Sequence, residues 1–356
     1  MLARARLMQM AADLPPALHR AARIEDSFHA FRAKWARKRG LLPTVVPFSG
    51  FGGDGWIRVL GRVLLVTARR TDSSEKARVR SVRGWRSFTS VPAGAVTVVI
   101  TAAGKEYRVS ADRGGVIDTR LEVALPAGWN TVTMHTDDSG TVSAPIYVVD
   151  AKTRFGILSD IDDTVMVTAL PRPLLAAWNT FVLDEHARTP VAGMAVLYER
   201  LAREHVGSPV IYLSTGAWNV APTLTRFLSR NLYPAGALLL TDWGPTHDRL
   251  FRSGREHKRD NLARLAADFP KLKWLLIGDD GQHDEELYGE FVAAHPGNVA
   301  AVCIRELSPG QAVLAGRRSS HADAAVGDTT KWLYAPDGAG LSEQLTELGL
   351  LPTYAR

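Results

Sequence analysis

The chain has 356 residues, 46% of them apolar and 22% charged; this exceeds the usual span of one domain and excludes wholesale disorder. A single cysteine excludes an internal disulfide, and the absence of any run of about 18 apolar residues excludes a membrane-spanning helix. The net charge of +6 resides in residues 1–39, where nine Lys/Arg face three acids, so the rest of the chain is neutral and no nucleic-acid partner is expected.

Residues 1–42 read as a basic, amphipathic helical segment, interrupted at Pro15-Pro16. Leu18, Ala21, Ala22, Phe28, Phe31 and Trp35 recur at three- and four-residue spacing and form an apolar stripe. The stripe either docks on the body of the protein or lies on an anionic membrane surface. No apolar core of signal-peptide length follows the first residues, so the expected location is the cytoplasm, with peripheral membrane contact through residues 1–39 if the stripe is free.

Residues 43–150 are predicted to be all-β, a small sandwich of antiparallel sheets. Alternating or β-branched runs occur at Trp56–Val66, Ala95–Thr101, Glu106–Ser110, Ile117–Leu125, Thr131–His135 and Ala144–Val149, with Gly-, Pro- and Asp-rich turns between them. The Arg- and Ser-rich stretch 69–87 reads as a loop.

Residues 151–356 change character and read as a doubly wound α/β domain with a C-terminal tail. Apolar strands at Phe155–Leu158, Pro209–Leu213, Ala237–Leu240, Leu272–Ile277 and Val299–Ile304 alternate with helices at Pro173–Leu183, Met194–Glu204, Val220–Arg230, Lys258–Phe269 and Asp284–Ala294. Continuous apolar strands separated by amphipathic helices predict a parallel sheet covered on both faces, with its site beyond the carboxyl ends of the strands. Cys303, inside the last apolar run, reads as a small buried hydrophobe. One further helix is expected at 341–349 in the tail.

The first of these strands runs into Ser159-Asp160-Ile161-Asp162-Asp163-Thr164. Three carboxylates directly after a buried strand repel one another and resist desolvation, so stability does not account for them. Two acids two residues apart can converge on one small volume, where one attacks phosphorus and the other moves a proton. An EF-hand reading fails, because Val165 and Pro171 stand where a calcium loop needs Gly and Glu. The second strand ends in Ser214-Thr215-Gly216, which suits either a phosphate oxygen or an ordinary helix cap. Lys258 is predicted to open the helix before the fourth strand, against the dipole preference, with Arg255 and Lys271 as nearby competitors. The fourth strand ends in Gly278-Asp279-Asp280-Gly281-Gln282-His283-Asp284. His283 has no second His or Cys at metal-ligand spacing and reads as a surface residue.

The Asp160-Ile161-Asp162-Asp163-Thr164 string matches the Asp-x-Asp-x-Thr signature of haloacid dehalogenase-type phosphatases. Together with Tyr212-Leu213-Ser214-Thr215-Gly216-Ala217-Trp218 and Gly278 to Tyr288, it resembles the actin-patch-type phosphatidate phosphatase family and its bacterial relatives. Phe51-Gly52 and Val59 to Leu64 are similar to the β-region preceding that family's catalytic domain, so the resemblance spans roughly residues 45–307. It implies a haloacid dehalogenase-like fold and a magnesium-dependent phosphomonoester hydrolase, with phosphatidate as a candidate substrate. It further implies Asp160 as nucleophile, Asp162 as acid and base, Ser214 and Lys258 holding the phosphoryl oxygens, and Mg2+ on Asp160, the Asp162 carbonyl, Asp279 and Asp284. The insert of about 45 residues between the first two motifs leaves no room for a large cap, so an open site for a bulky substrate is expected. The alternatives are a phosphatase of soluble metabolites or phosphoproteins, and a non-catalytic lipid- or protein-binding module on the same fold.

Overall fold

A computed structural model describes residues 39–67, 91–167, 189–241, 247–281, 283–315 and 330–353. Residues 1–38 of the amphipathic segment expected at 1–42, the whole loop expected at 69–87 and the helix expected at Pro173–Leu183 lie outside the described residues, and Leu41 and Leu42 of that segment already belong to a strand.

The first region supplies β1 (Leu41–Gly53), β2 (Trp56–Thr67), β3 (Val91–Pro92), β4 (Thr97–Ala102), β5 (Lys105–Ser110), β6 (Val116–Glu122), β7 (Gly128–His135) and β8 (Val142–Val148). These strands form one hydrogen-bonded sheet in the order β3-β2-β1-β8-β7-β4-β5, with β6 also paired to β2. Two separate antiparallel sheets were expected; here a single sheet curls over its own core of Ile57, Val59, Ile100, Met134 and Ile146. The length of β1 and β2 explains the difference, since each is long enough to serve both layers, and the β1–β2 register shifts between Phe48 and Phe51. One pair, β1 with β8, is parallel. Sequence patterning passes over β1 because Pro43 and Pro47 interrupt it. Both prolines precede the Gly50–Gly52 stretch that pairs with β8, where the ladder to β2 alone is in register and a missing N–H is tolerated.

The second region builds a six-stranded parallel sheet from β9 (Phe155–Ser159), β12 (Val210–Ala217), β13 (Ala237–Thr241), β14 (Lys273–Asp279), β15 (Val299–Arg305) and β16 (Trp332–Ala335), in the order β13-β12-β9-β14-β15-β16. A short antiparallel ladder pairs β10 (Met166–Val167) with β11 (Thr189–Pro190). The helices are α1 (Met194–Glu204), α2 (Ala221–Arg230), α3 (His247–Asp268), α4 (Asp284–Ala294), α5 (Pro309–Ala315) and α6 (Gly338–Glu347). α1 packs with α6, and α3 packs with α4. The chain steps outward from β9 to β12 and β13, then crosses back to β14. Right-handed crossovers therefore place α1 and α3 on opposite faces. The expected strands and the helices α1, α2 and α4 fall where the periodicity puts them. β16, an edge strand in the presumed tail, was not foreseen.

A second expectation fails. Lys258 does not open its helix: α3 begins at His247, eleven residues earlier, and Lys258 sits mid-helix. The polar run before it carries no apolar periodicity, so the first turns are invisible to pattern reading. The dipole argument for Lys258 therefore lapses, and its significance rests on where its side chain goes.

The two regions share a core. Phe51 and Trp56 of the curled sheet meet Phe269, just past α3, with ring centroids 6.1 and 5.4 Å away, and Phe269 lies 6.0 Å from Trp274 of β14. Phe48 of β1 stacks at 5.1 Å on Trp218, which follows β12. Arg120 of β6 lies 4.1 Å over the Trp56 ring and pairs with Asp268 at 2.7 Å. Among the described residues no helix is long and apolar enough to cross a membrane.

Candidate active site

Strand order reverses at β9, whose neighbours are β12 on one side and β14 on the other. Such a reversal opens a crevice beyond the carboxyl ends of the strands. The three sequence motifs end these three strands, so they converge on that crevice.

Asp160 is the first residue after β9. Its N–H donates to the Ile277 carbonyl at 2.8 Å, which ties the loop to β14. The Ser159 hydroxyl donates to the Asp160 carbonyl at 2.5 Å and also pairs with the Tyr198 hydroxyl of α1. Tyr288 of α4 donates to the same Ile277 carbonyl at 3.0 Å. The backbone under Asp160 is thus fixed from both faces of the sheet.

Lys258 reaches in from α3. Its ammonium donates to Asp160 Oδ1 at 2.7 Å and to Asp284 Oδ1 at 2.6 Å, and all three residues are buried. Asp284 comes from the first turn of α4, and Gly278 lets it approach. A Cβ at Gly278 would lie 2.7 Å from Asp284 Oδ2 and 2.8 Å from the Tyr288 ring. Asp279, the last residue of β14, is fully buried and accepts the Gly281 N–H at 2.7 Å. Carboxylate oxygens of Asp160, Asp279 and Asp284 lie within 4.8 Å of one another. Asp162 turns the other way. Its Oδ2 accepts the Ser214 hydroxyl at 3.0 Å, and Ser214 Oγ accepts the Gly216 N–H at 2.9 Å.

The electrostatics follow from this packing. Burial pushes the Asp160 carboxyl well above the usual range; Lys258 opposes the shift, while Asp284 and Asp162 add to it. Burial, then Asp284, Asp160 and Asp163, push Asp279 up likewise. For Lys258, burial disfavours the charge, but Asp160 and Asp284 outweigh it and hold the ammonium above the ordinary lysine range. One lysine against three buried acids leaves negative charge unbalanced. Asp160 Oδ2 is buried and has no hydrogen-bond partner. A hard, oxygen-seeking divalent cation fits this donor set.

All six predicted site residues therefore lie around one crevice: Asp160, Asp279, Asp284 and Lys258 in one cluster, Asp162 and Ser214 in a pair beside it. The competitors do not enter. Arg255 pairs with Glu286 on the surface, and Lys271 is exposed. His283 is 55% exposed and lies 3.7 Å from Glu286, as befits a surface residue. Cys303 is fully buried, and burial pushes its thiol up, so it is no nucleophile. Sequence reasoning missed Arg305, which ends β15 directly beside Asp279. The available signal was a charged residue at the carboxyl end of a parallel strand, the position already used to find the acids.

Comparison with known proteins places residues 155–306 on the family model described as phosphatidate phosphatase APP1, catalytic domain. Phosphatidate phosphatase APP1 of Saccharomyces cerevisiae is 26% identical over 151 residues, covering 42% of this chain and 25% of that protein. An uncharacterised protein of Schizosaccharomyces pombe is 24% identical over 175 residues, covering 48% of this chain and 29% of its own length. The matched segment thus spans less than a third of each of these curated relatives. Among solved structures, a HAD family hydrolase from Deinococcus radiodurans with bound phosphate and sodium aligns with a TM-score of 0.31 at 13% identity, over 57% of this chain and 99% of that one.

Proposed function

We propose that residues 155–306, a segment that belongs to the APP1 phosphatidate phosphatase catalytic-domain family, hydrolyse a phosphomonoester with the help of magnesium and through an aspartyl-phosphate. Phosphatidate is the proposed substrate and diacylglycerol the product. The observation that carries the chemistry is the state of Asp160: one carboxylate oxygen is held by Lys258 at 2.7 Å, and the other is buried without a partner. The lipid substrate is supported by the family match.

In this reading Asp160 Oδ2 attacks phosphorus, the bond to the ester oxygen breaks, and Asp162 gives that oxygen its proton. A water then attacks the aspartyl-phosphate, Asp162 takes the water's proton, and inorganic phosphate leaves as the Asp160 carboxylate is restored. Ser214, donating to Asp162 at 3.0 Å, holds that carboxyl in place, and in this reading its hydroxyl would also meet an oxygen of the transferring group. Lys258 orients Asp160 and offsets phosphoryl charge. Asp160, Asp279, Asp284 and the Asp162 carbonyl would hold magnesium, which neutralises charge on the transferring group.

The test is phosphate release from phosphatidate in mixed micelles, from sugar phosphates and from phosphopeptides, each with magnesium. Fastest turnover of phosphatidate is expected. A clear preference for a soluble phosphate overturns the lipid assignment and leaves the chemistry standing. No release from any of them, with magnesium present, overturns the enzyme.

A further inference from the structure

Arg305 is 5% exposed and ends β15, beside the acidic loop that follows β14. The argument from it rests on the phosphoryl-transfer reading above. Its backbone carbonyl accepts the Asp280 N–H at 3.1 Å, and Asp280 Oδ1 accepts the Leu307 N–H at 2.8 Å. Its guanidinium donates in three directions: Nη1 to the Asp163 carbonyl at 2.6 Å, Nη2 to Gln311 Oε1 at 2.9 Å, and Nε to the Pro336 carbonyl at 3.3 Å. Asp163, Asp279, Asp280 and Asp337 all lie near enough to act on it electrostatically, yet its hydrogen bonds all end on neutral oxygens. A cation needed only for its charge would gain more by pairing with a carboxylate. The fork is placed to hold backbone.

What it holds is a strained turn. Asp163 has φ +57°, a left-handed conformation that a non-glycine residue keeps only when its surroundings fix it. The contacts that fix it include the Asp163 N–H donating to the Met166 carbonyl at 2.8 Å and the Asp163 carbonyl accepting from Arg305. The residue before this turn is Asp162, and its direction toward Ser214 depends on it.

We propose that Arg305 is a positioning residue for the proton-transfer half of the reaction: by clamping the Asp163 carbonyl to the end of β15, it keeps Asp162 aimed at the leaving oxygen. The nucleophile Asp160 is held independently, by Ile277 and Lys258. Loss of Arg305 therefore injures proton delivery more than attack. Arg305→Lys keeps the charge but cannot serve three divergent acceptors.

The experiment compares two substrates in the full chain with magnesium. Phosphatidate has an alkyl leaving group that needs a proton; p-nitrophenyl phosphate has a leaving group that hardly does. The first turnover, read as the burst of released alcohol or phenol, should slow about 10- to 100-fold for phosphatidate in R305K. For p-nitrophenyl phosphate it should slow less than about 3-fold, with KM nearly unchanged for both. Gln311→Ala, which frees the outer edge of the fork, should show the same bias at about 2- to 5-fold and decides the matter if R305K does not fold. Equal losses on both substrates, or none, overturn the inference. If the wild-type chain releases neither leaving group, the proposed function fails instead.

Discussion

The two sheets treat buried charge in opposite ways. In the curled sheet the buried polar residues are Thr44, Thr136 and Arg58, and Arg58 is answered by a two-pronged bond to Asp118 at 2.5 Å on both arms. At the carboxyl end of the parallel sheet Asp160, Asp162, Asp163, Asp279, Asp280 and Asp284 are buried together, with Lys258 and Arg305 as the buried cations. A fold selected for stability alone pairs its buried charges or replaces them with apolar groups. The parallel sheet instead concentrates like charges, an arrangement that shifts carboxyl groups away from their usual range and that supports the site proposed above. One region is organised for stability, and the other gives up stability to hold a cluster.

Replacing the proposed nucleophile puts that contrast to its hardest test. Asp160→Asn should cut turnover at least about 10³-fold, because the amide cannot attack phosphorus. The same change should leave the melting temperature of the metal-free protein unchanged or higher, since it removes one of three crowded buried acids while Lys258 keeps Asp284. Calorimetry and a phosphate-release assay measure the two effects; a large fall in melting temperature would mean that Asp160 is structural. Chelation should abolish turnover, with magnesium restoring it better than calcium, whose looser coordination disturbs in-line transfer. Magnesium at about 100 times its dissociation constant should add roughly 2.7 kcal/mol of stability. Full activity in excess chelator would remove the metal from the mechanism.

How much of this was legible follows the same divide. The convergence of the acids could be read from the sequence because each follows an apolar strand of a parallel sheet, and such a sheet gathers strand ends at one place. Their partition could not. That Lys258 bridges Asp160 and Asp284 while Asp162 turns to Ser214 depends on side-chain directions set by Gly278, Tyr288 and the turn at Asp163. In the curled sheet the strands were legible by alternation, but β1 was hidden by its two prolines, and closure into one sheet depends on pairings distant in sequence, such as Phe51 with Tyr147 and Arg58 with Arg120. Arg305 is hidden because the apolar run Val299–Ile304 stops one residue before it.

The aromatic junction asks whether the two regions are independent. Phe269 touches Phe51, Trp56 and Trp274 and is 7% exposed. Phe269→Ala should cost about 3–5 kcal/mol, the usual range for a buried phenylalanine. Because the core is continuous across the junction, near-UV and far-UV circular dichroism should lose structure in one transition at the lower temperature. Two separated transitions, with only one shifted, would show that the sheets fold as separate units.

The smallest effect is the most specific to that junction. His257 lies on α3, one residue before Lys258, and its surroundings include Arg58, Arg264 and Asp118. Burial pulls its pKa down to about 4; a backbone contact to Leu239 and the Asp118 charge oppose this, and Arg58 and Arg264 add to it. The folded value thus lies below the unfolded value of about 6.5. The folded chain binds fewer protons, so the contribution to stability is complete above pH 6.5, shrinks as pH falls through that value, and reaches its limit near pH 4. At pH 5 the loss attributable to this one residue is about 2 kcal/mol. Asp160 and Asp279 pull in the opposite direction, because carboxyl groups with raised pKa take up protons in the folded state as pH falls and stabilise it. The raw pH profile of stability therefore mixes the two regions and cannot be read alone. The difference between wild type and His257→Gln isolates the histidine, since both proteins carry the same carboxylates. Urea unfolding at pH 7 and pH 5 should show wild type losing about 2 kcal/mol more than the variant. Parallel profiles would mean that the imidazole is solvated at the junction, and that the curled sheet does not seal this face of α3.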